Sequence, residues 1–422
     1  MVPRHDWPII MNEMTAYAAS LRLRRPFLAV GLLAAAFCAS ALETGETLAA
    51  FLPPGNRMTM VEKSDLRRYE TGKFIGLACR EVRGILSMER TAETGTTRCS
   101  GTFYVLEETR HNAANVARRI DETVPVSYSI LSDGSWESAE DAAYPSLRGF
   151  PVLPDRNLVV GEKWQAGGVR VLDPMRDGRF TRVKFYCDYR YDGERIADGR
   201  RVRTVTAKYA LRYRKGQDPQ GDGNLQSVSG SHDVTVSLDP RTGAPFFLRD
   251  GVEESCTYTD GTTVVFKGFI LTWISAPVPL DRVETAKRIA EKLKEKGTGD
   301  VEVEVQGGGV SLSVNRIHFV ADRDEVLPGE TARLEAVAEA LRGIPAGSFR
   351  VIGHAADFGT AESQQELSVN RAKTVVDFLS AHGIEAGRFL YEGRGGREPV
   401  APNDSEENMA KNRRVQIIIL ED

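Results

Sequence analysis

The feature that most limits the fold is a run of extended segments between Arg179 and Trp273, cut at short intervals by turn residues. Arg179–Tyr191, Arg201–Arg214, Asp233–Leu238, Phe246–Leu248, Glu253–Tyr258 and Thr263–Trp273 each read as strands. Their connections carry Asp192-Gly193, Asp198-Gly199, Gly221-Asp222-Gly223, Asp239 through Gly243, and Asp260-Gly261. Such Asp-Gly and Gly-rich pairs adopt the positive φ that tight hairpins need. Val205, Ala207, Tyr209, Leu211 and Tyr213 alternate with Thr204, Thr206, Lys208 and Arg212, the period-two pattern of a half-buried strand. Successive hairpins of this kind imply an antiparallel sheet.

Upstream, Phe74–Arg80, Gly101–Leu106 and Val126–Leu131 also read as strands, with Asn112–Ile120 as a short helical interruption and Pro151–Trp164 as a loop. Residues 69–275 are therefore expected to form one antiparallel β domain, a curved sheet or a sandwich. A small outer-membrane barrel is the competing reading. Along Arg179–Tyr191 the face Thr181, Val183, Phe185, Cys187, Tyr189 and Tyr191 could meet lipid. Glu253–Tyr258 is too short for the 9–11 residues a membrane strand requires, and Pro151–Asp177 offers no strand pair to close a wall. These favour the sheet.

The N-terminus reads as an export signal. Arg22, Arg24 and Arg25 precede the apolar run Pro26–Cys38, which ends in Ala39-Ser40-Ala41. A basic region, a short apolar core and small residues at the cleavage site define such a signal, and the run is shorter than a spanning helix. Residues 1–41 are expected to be removed, and 42–68, with Pro53-Pro54-Gly55, to be a linker. Phe37 before Cys38 is too large for a lipidation site. Export permits disulfides among Cys79, Cys99, Cys187 and Cys256; the expected pairs are Cys79–Cys99 and Cys187–Cys256, with buried free thiols as the alternative. None of these has metal-ligand spacing. A net charge of -4 gives no basic balance for a nucleic-acid partner.

The C-terminal part has a different rhythm. After Ser275–Pro279, a helix is expected over Leu280–Lys296, stopped by Gly297. Val301–Val305 and Val310–Val314 form a hairpin, the second strand running on through Ile317-His318-Phe319. Helix Pro328–Arg342, strand Phe349–Ile352, helix Ala361–His382, strand Arg388–Glu392 and strand Arg414–Leu420 follow. The expected fold is thus α+β: the antiparallel β domain, then a βαβαββ α/β sandwich over 279–422.

Gly353, His354, Gly359, Leu367, Ser368, Arg371 and Ala372 stand in the register G-H-x-x-x-x-G, then L-S-x-x-R-A, and Asn412-Arg413-Arg414 follows near the end. This stretch resembles the C-terminal domain of the OmpA family, a peptidoglycan-binding module. The resemblance covers Val310–Leu420 and implies a site for the diamino acid of a peptidoglycan stem peptide, of diaminopimelate or ornithine type. It implies Arg371 as the carboxylate partner, Gln364 beside it, Gly353 in the turn, and Phe319 through Asp322 in the loop after the first strand. Asn412 and Arg413 are implied as braces of the fold. Ala356 stands where the family has the Asp that takes the ammonium, so neighbouring Asp357 is the candidate replacement.

The expected protein is a non-enzymatic, cofactor-free envelope protein of the periplasm or outer membrane. It would grip the wall and link it to another envelope component. The alternative is a carrier whose β domain holds an apolar ligand while the wall module localises it. No nucleophile-elbow, zinc-protease or phosphate-loop pattern occurs in the chain.

Overall fold

A computed structural model describes residues 46–47, 52 and 55–421, apart from 92, 109–115, 132–135, 139–140, 155, 198, 278–279, 299–300, 307–308, 315–318, 320–323 and 345–346. The expected export signal lies outside the described residues.

The N-terminal half is built from β1 (Arg57–Glu70), β2 (Lys73–Arg90), β3 (Thr97–Leu106), β4 (Arg118–Ile130), β5 (Lys163–Leu172), β6 (Thr181–Ala197), β7 (Arg200–Arg214), β8 (Leu225–Leu238), β9 (Pro245–Tyr258) and β10 (Thr263–Ser275). They pair antiparallel in the order β5-β6-β7-β8-β9-β10-β1-β2-β3-β4. Two-residue strands extend the ends, Leu147–Arg148 on β5 and Trp136–Glu137 on β4. The sheet curls until these ends approach, with the Arg148 guanidinium 4.3 Å from the Trp136 ring centroid.

Two sequence expectations are corrected here, and the competing membrane-barrel reading is set aside. Residues 57–68, expected as linker, lie in β1 at the middle of the sheet, held by β10 on one side and β2 on the other. The charged run Glu62, Lys63, Asp65, Arg67 and Arg68 hides its period-two pattern. The helical interruption is not seen at its end, since Arg118–Ile120 opens β4, while 112–115 lie outside the described residues. The membrane-barrel reading fails on its own face: Val183, Phe185, Cys187, Tyr189 and Tyr191 are buried inside the curl. The opposite face puts Lys184, Tyr186, Asp188 and Arg190 into solvent, where a lipid-facing wall would be apolar.

The four cysteines are free, so neither expected disulfide forms. Cys79 pairs with Asp65, whereas Cys99 lies opposite Met88. Nine residues of β2 thus separate the two, roughly 30 Å at ~3.3 Å per residue. Cys187 and Cys256 sit on β6 and β9, with β7 and β8 between them. Three strand spacings are about 14 Å, well beyond the ~7 Å limit for a bridge. Burial instead pushes the Cys99 thiol up to about 11 and Cys187 to about 12, keeping both protonated.

The C-terminal half contains α1 (Arg282–Glu295), β11 (Val301–Gln306), β12 (Gly309–Val314), α2 (Thr331–Arg342), β13 (Phe349–Gly353), α3 (Ala361–Ala381), β14 (Phe389–Gly393), α4 (Glu406–Asn412) and β15 (Val415–Leu420). Its sheet runs β11-β12-β15-β13-β14, with β13 and β14 parallel and the rest antiparallel. Leu334, Val337 and Leu341 of α2 and Val375, Val376 and Leu379 of α3 pack on Val351, Ile417 and Ile419 in one core. The βαβαββ order is as expected, with α4 added in what read as a loop. The strand expected to reach Phe319 is described over Gly309–Val314, residues 315–318 lie outside the described residues, and Phe319 bridges to Val326.

The two halves share a seam. β14 also pairs in parallel with β4, Leu390 against Arg118 and Tyr391 against Arg119. Tyr104, Leu106 and Ile120 bury with Leu390 and Leu420 in a small apolar cluster. Arg83 donates to Ser348 Oγ at 3.2 Å, Arg350 stacks over Tyr104 at 5.0 Å, and Glu421 pairs with both Arg57 and Arg282. These contacts gather at the starts of β13 and β14 and the end of β15. The opposite ends of β13 and β14 therefore point away from the β domain.

Candidate functional site

The site lies at those far ends. Gly353 ends β13 and Gly393 ends β14, and α3 crosses both closely. A Cβ on Gly353 would fall 2.0 Å from the Ser368 carbonyl oxygen, and one on Gly393 would fall 2.2 Å from Ser368 Oγ. Only hydrogen fits there, which explains the pairing of these glycines with a small residue on the helix. Ser368 Oγ donates to the Gln365 carbonyl at 2.8 Å and accepts from the Gly395 N–H at 2.9 Å. Helix and loop are thereby locked at the floor of the site. Gly353 acts through this backbone approach.

Helix α3 starts where Thr360 caps it, its hydroxyl accepting from Ser363 N at 3.2 Å. Gln364, Ser368 and Arg371 are buried on one face of it, at i, i+4 and i+7. Arg371 is 4% exposed, and its guanidinium lies 4.9 Å from the Phe319 ring centroid. That is cation–π distance, so the aromatic face steadies the charge away from bulk water. Asp322 lies outside the described residues.

The turn after β13 supplies the opposite charge. Ala355 and Ala356 are buried, and Asp357 and Phe358 are exposed. Asp357 Oδ1 accepts from Gln364 Nε2 at 2.9 Å, and its N–H donates to Asn403 Oδ1 at 3.2 Å. Gln364 Oε1 accepts from Gly396 N at 3.2 Å. The amide thus ties the carboxylate to the loop after β14. Gln364 and Arg371 are seven residues apart, about 10 Å along the helix axis. An acidic rim and a guanidinium floor are therefore separated by two helical turns.

His354 is 1% exposed and its N–H donates to the Arg414 carbonyl at 3.0 Å. Burial and the charges of Arg414 and Arg394 hold its imidazole down to about 3, so it packs as a neutral ring. Asn412 is fully buried; its Oδ1 accepts from Val400 N and Ala401 N, and its amide donates to Ala401 O and Asn403 Oδ1. It braces the loop that carries Asn403.

The structure thus joins Asp357 with Gln364, and Arg371 with Phe319. The sequence reading missed Asn403 and Gly396. Gly395-Gly396 was the available signal, because a Cβ on Gly396 would lie 2.6 Å from Gln364 Oε1.

Residues 318–413 match the model of the OmpA family. "Probable lipoprotein YiaD" of Escherichia coli K12 is 33% identical over 131 residues, covering 30% of this chain and 59% of YiaD. "Peptidoglycan-binding protein ArfA" of Mycobacterium tuberculosis H37Rv is 33% identical over 103 residues, covering 24% of this chain and 32% of ArfA. The chain thus spans just over half of one relative and a third of the other. Among solved structures, the cell wall anchor of the T6SS from Pseudomonas aeruginosa is 32% identical, with a TM-score of 0.29, covering 34% of this chain and 100% of that one.

Proposed function

Since residues 318–413 are an OmpA-family domain, we propose that this chain is an exported, non-catalytic cell-envelope protein that binds peptidoglycan noncovalently through this module. Its leader at 1–41 delivers it to the periplasmic side. Its β domain ties the wall to another envelope component. The observation that carries this reading is Arg371, buried at the end of β13 and β14 with its guanidinium over Phe319. A planar cation fixed there suits a stem-peptide carboxylate, which it can meet with two parallel hydrogen bonds. Relatives named for the wall, such as ArfA, support the same reading.

Asp357 gives the site its second pole. It takes the side-chain amine of diaminopimelate or ornithine at the exposed rim, doing from the turn what Ala356 cannot. The bond from Gln364 holds that carboxylate in place.

The test is sedimentation of the purified chain with isolated sacculi. Arg371→Ala should leave the protein in the supernatant; a variant that pellets like wild type would remove the site. Asp357→Ala should weaken binding about 30-fold, the low end of the roughly 2–5 kcal/mol that deleting one partner of a charge pair costs, because Asp357 is exposed. Unchanged binding would leave the amine without its proposed acceptor.

A further inference from the structure

The outer face of β6–β9 carries an open groove of about 830 Å³. Cross-strand register sets its parts. Asp188 of β6 faces Lys208 of β7, Lys208 faces Asp233 of β8, and Asp233 faces Gly251 of β9. In the next row Ala210 faces Ser231, and Ser231 faces Glu253. Ala210, Ser231 and Gly251 are small, so they form a floor between longer charged side chains. From β6 to β9 is three strand spacings, about 14 Å. Tyr186 stands at the β6 end. It lies opposite Gly167, which offers it no side chain, and it is 82% exposed.

Gly251 is not required by the fold. It sits in the middle of β9, where glycine weakens a strand. Pairing runs through it without a break, to Asp233 on one side and Phe269 on the other. A Cβ there would meet nothing closer than the Asp233 carbonyl oxygen at 3.6 Å and the Phe269 ring at 3.9 Å, both ordinary contacts. What the missing side chain keeps open is the groove. A mid-strand glycine with no bulge and no crowding marks a place where another molecule comes close.

The polar groups of the groove balance. Lys208 pairs with Asp233 at 2.9 Å, Lys267 with Glu253 at 2.6 Å, and Gln165 donates to Asp188 at 2.6 Å. Asp188, Asp233 and Glu253 thus stand against Lys208, Arg212 and Lys267, three charges of each sign, which leaves no excess to hold an ion. An apolar ligand would have to strip water from all of them. We propose that this groove binds a neutral oligosaccharide, with one sugar ring lying on Tyr186 and its neighbours running over Ala210, Ser231 and Gly251. The C–H face of a pyranose suits an exposed aromatic ring. Its hydroxyls each donate and accept, and the alternation of Asp188, Lys208 and Asp233 offers acceptors and donors side by side. The site does not depend on Arg371, which lies in the other half of the chain.

Calorimetric titration of the purified full chain tests it, with chitotetraose, cellotetraose and tetragalacturonate as probes at low and high salt. A neutral tetrasaccharide should bind, with affinity little changed by salt; the ratio of chitotetraose to cellotetraose tells whether acetamido groups are read. Tetragalacturonate should bind at least about tenfold more weakly, because its carboxylates meet those of the groove. Tyr186→Ala should weaken neutral-sugar binding about tenfold or more. Gly251→Val fills the floor and should do the same while melting no lower than wild type, since a β-branched residue favours the strand. Arg371→Ala should leave sugar binding unchanged. Wild type that ignores both neutral sugars, tetragalacturonate bound as tightly, or a Gly251→Val that binds normally would overturn the site.

Discussion

Glu254 lies in the core of the β domain between a guanidinium and an imidazole. Arg170 Nε donates to it at 3.1 Å, and His232 Nε2 lies 3.2 Å away. His232 Nδ1 meets Asp250 at 2.9 Å, and the Tyr209 ring stacks on the imidazole at 4.2 Å. Burial pushes the Glu254 carboxyl up, but the charges of Arg170 and His232 overcome this and hold it at about 2. Burial likewise lowers His232, yet its bonds to Asp250 and Glu254 raise it above its ordinary value. The two signs differ. Glu254 adds stability that is present above its unfolded value, about 4.5, and is lost as pH falls toward 2. His232 adds stability that is full below its unfolded value, about 6.5, and is lost as pH rises through the raised folded value. Urea unfolding across pH should therefore show a plateau between about 4.5 and 6.5, and His232→Asn should flatten the alkaline side. An unchanged alkaline slope in that variant would assign it elsewhere. Glu254→Gln should cost roughly 3–5 kcal/mol, because it leaves Arg170 buried and unpaired.

At the scale of elements, α3 sits on β13 and β14 only because both strands end in glycine. Gly353→Ala would press a methyl into the Ser368 carbonyl and force the helix outward. Such overpacking costs about 1–3 kcal/mol. Since Gln364 and Arg371 ride on the same helix, the variant should lose the proposed wall binding along with stability. Urea midpoint and sacculus pelleting, measured together, check this; a destabilised protein that still pelleted fully would uncouple the helix from the site. The end of α1 was readable because Gly297 marks its stop, whereas the Thr360 cap of α3 came from the structure. The short α4 was not readable, since seven residues show too little periodicity.

At the scale of the molecule, the OmpA-like module is joined to the β domain by pairing and packing as well as by the chain. β14 pairs with β4, and Glu421 is buried between Arg57 of the first strand and Arg282 of the first helix. A carboxylate at 4% exposure with two cationic partners couples the two halves. Glu421→Ala would remove the carboxylate that the two guanidiniums share, at a cost of roughly 3–5 kcal/mol. Scanning calorimetry should show the halves of the wild type unfolding in one transition, and Glu421→Ala should lower it or split it. Two separate wild-type transitions would show that the seam carries little energy.

The sequence alone determined the parts written in local chemistry: period-two alternation with Asp-Gly turns for the β domain, helical stretches for the C-terminal module, and the Gly353–Arg371 register. Each depends on neighbours a few residues apart. What joins distant positions only the tertiary structure decided. Strand order placed Arg57–Glu70 inside the sheet and kept Cys187 from Cys256, and register kept Cys79 from Cys99. The packing of one half on the other set the seam and pointed the Arg371 site away from it. Register and strand order arise from long-range burial, and no local spacing in the chain encodes them.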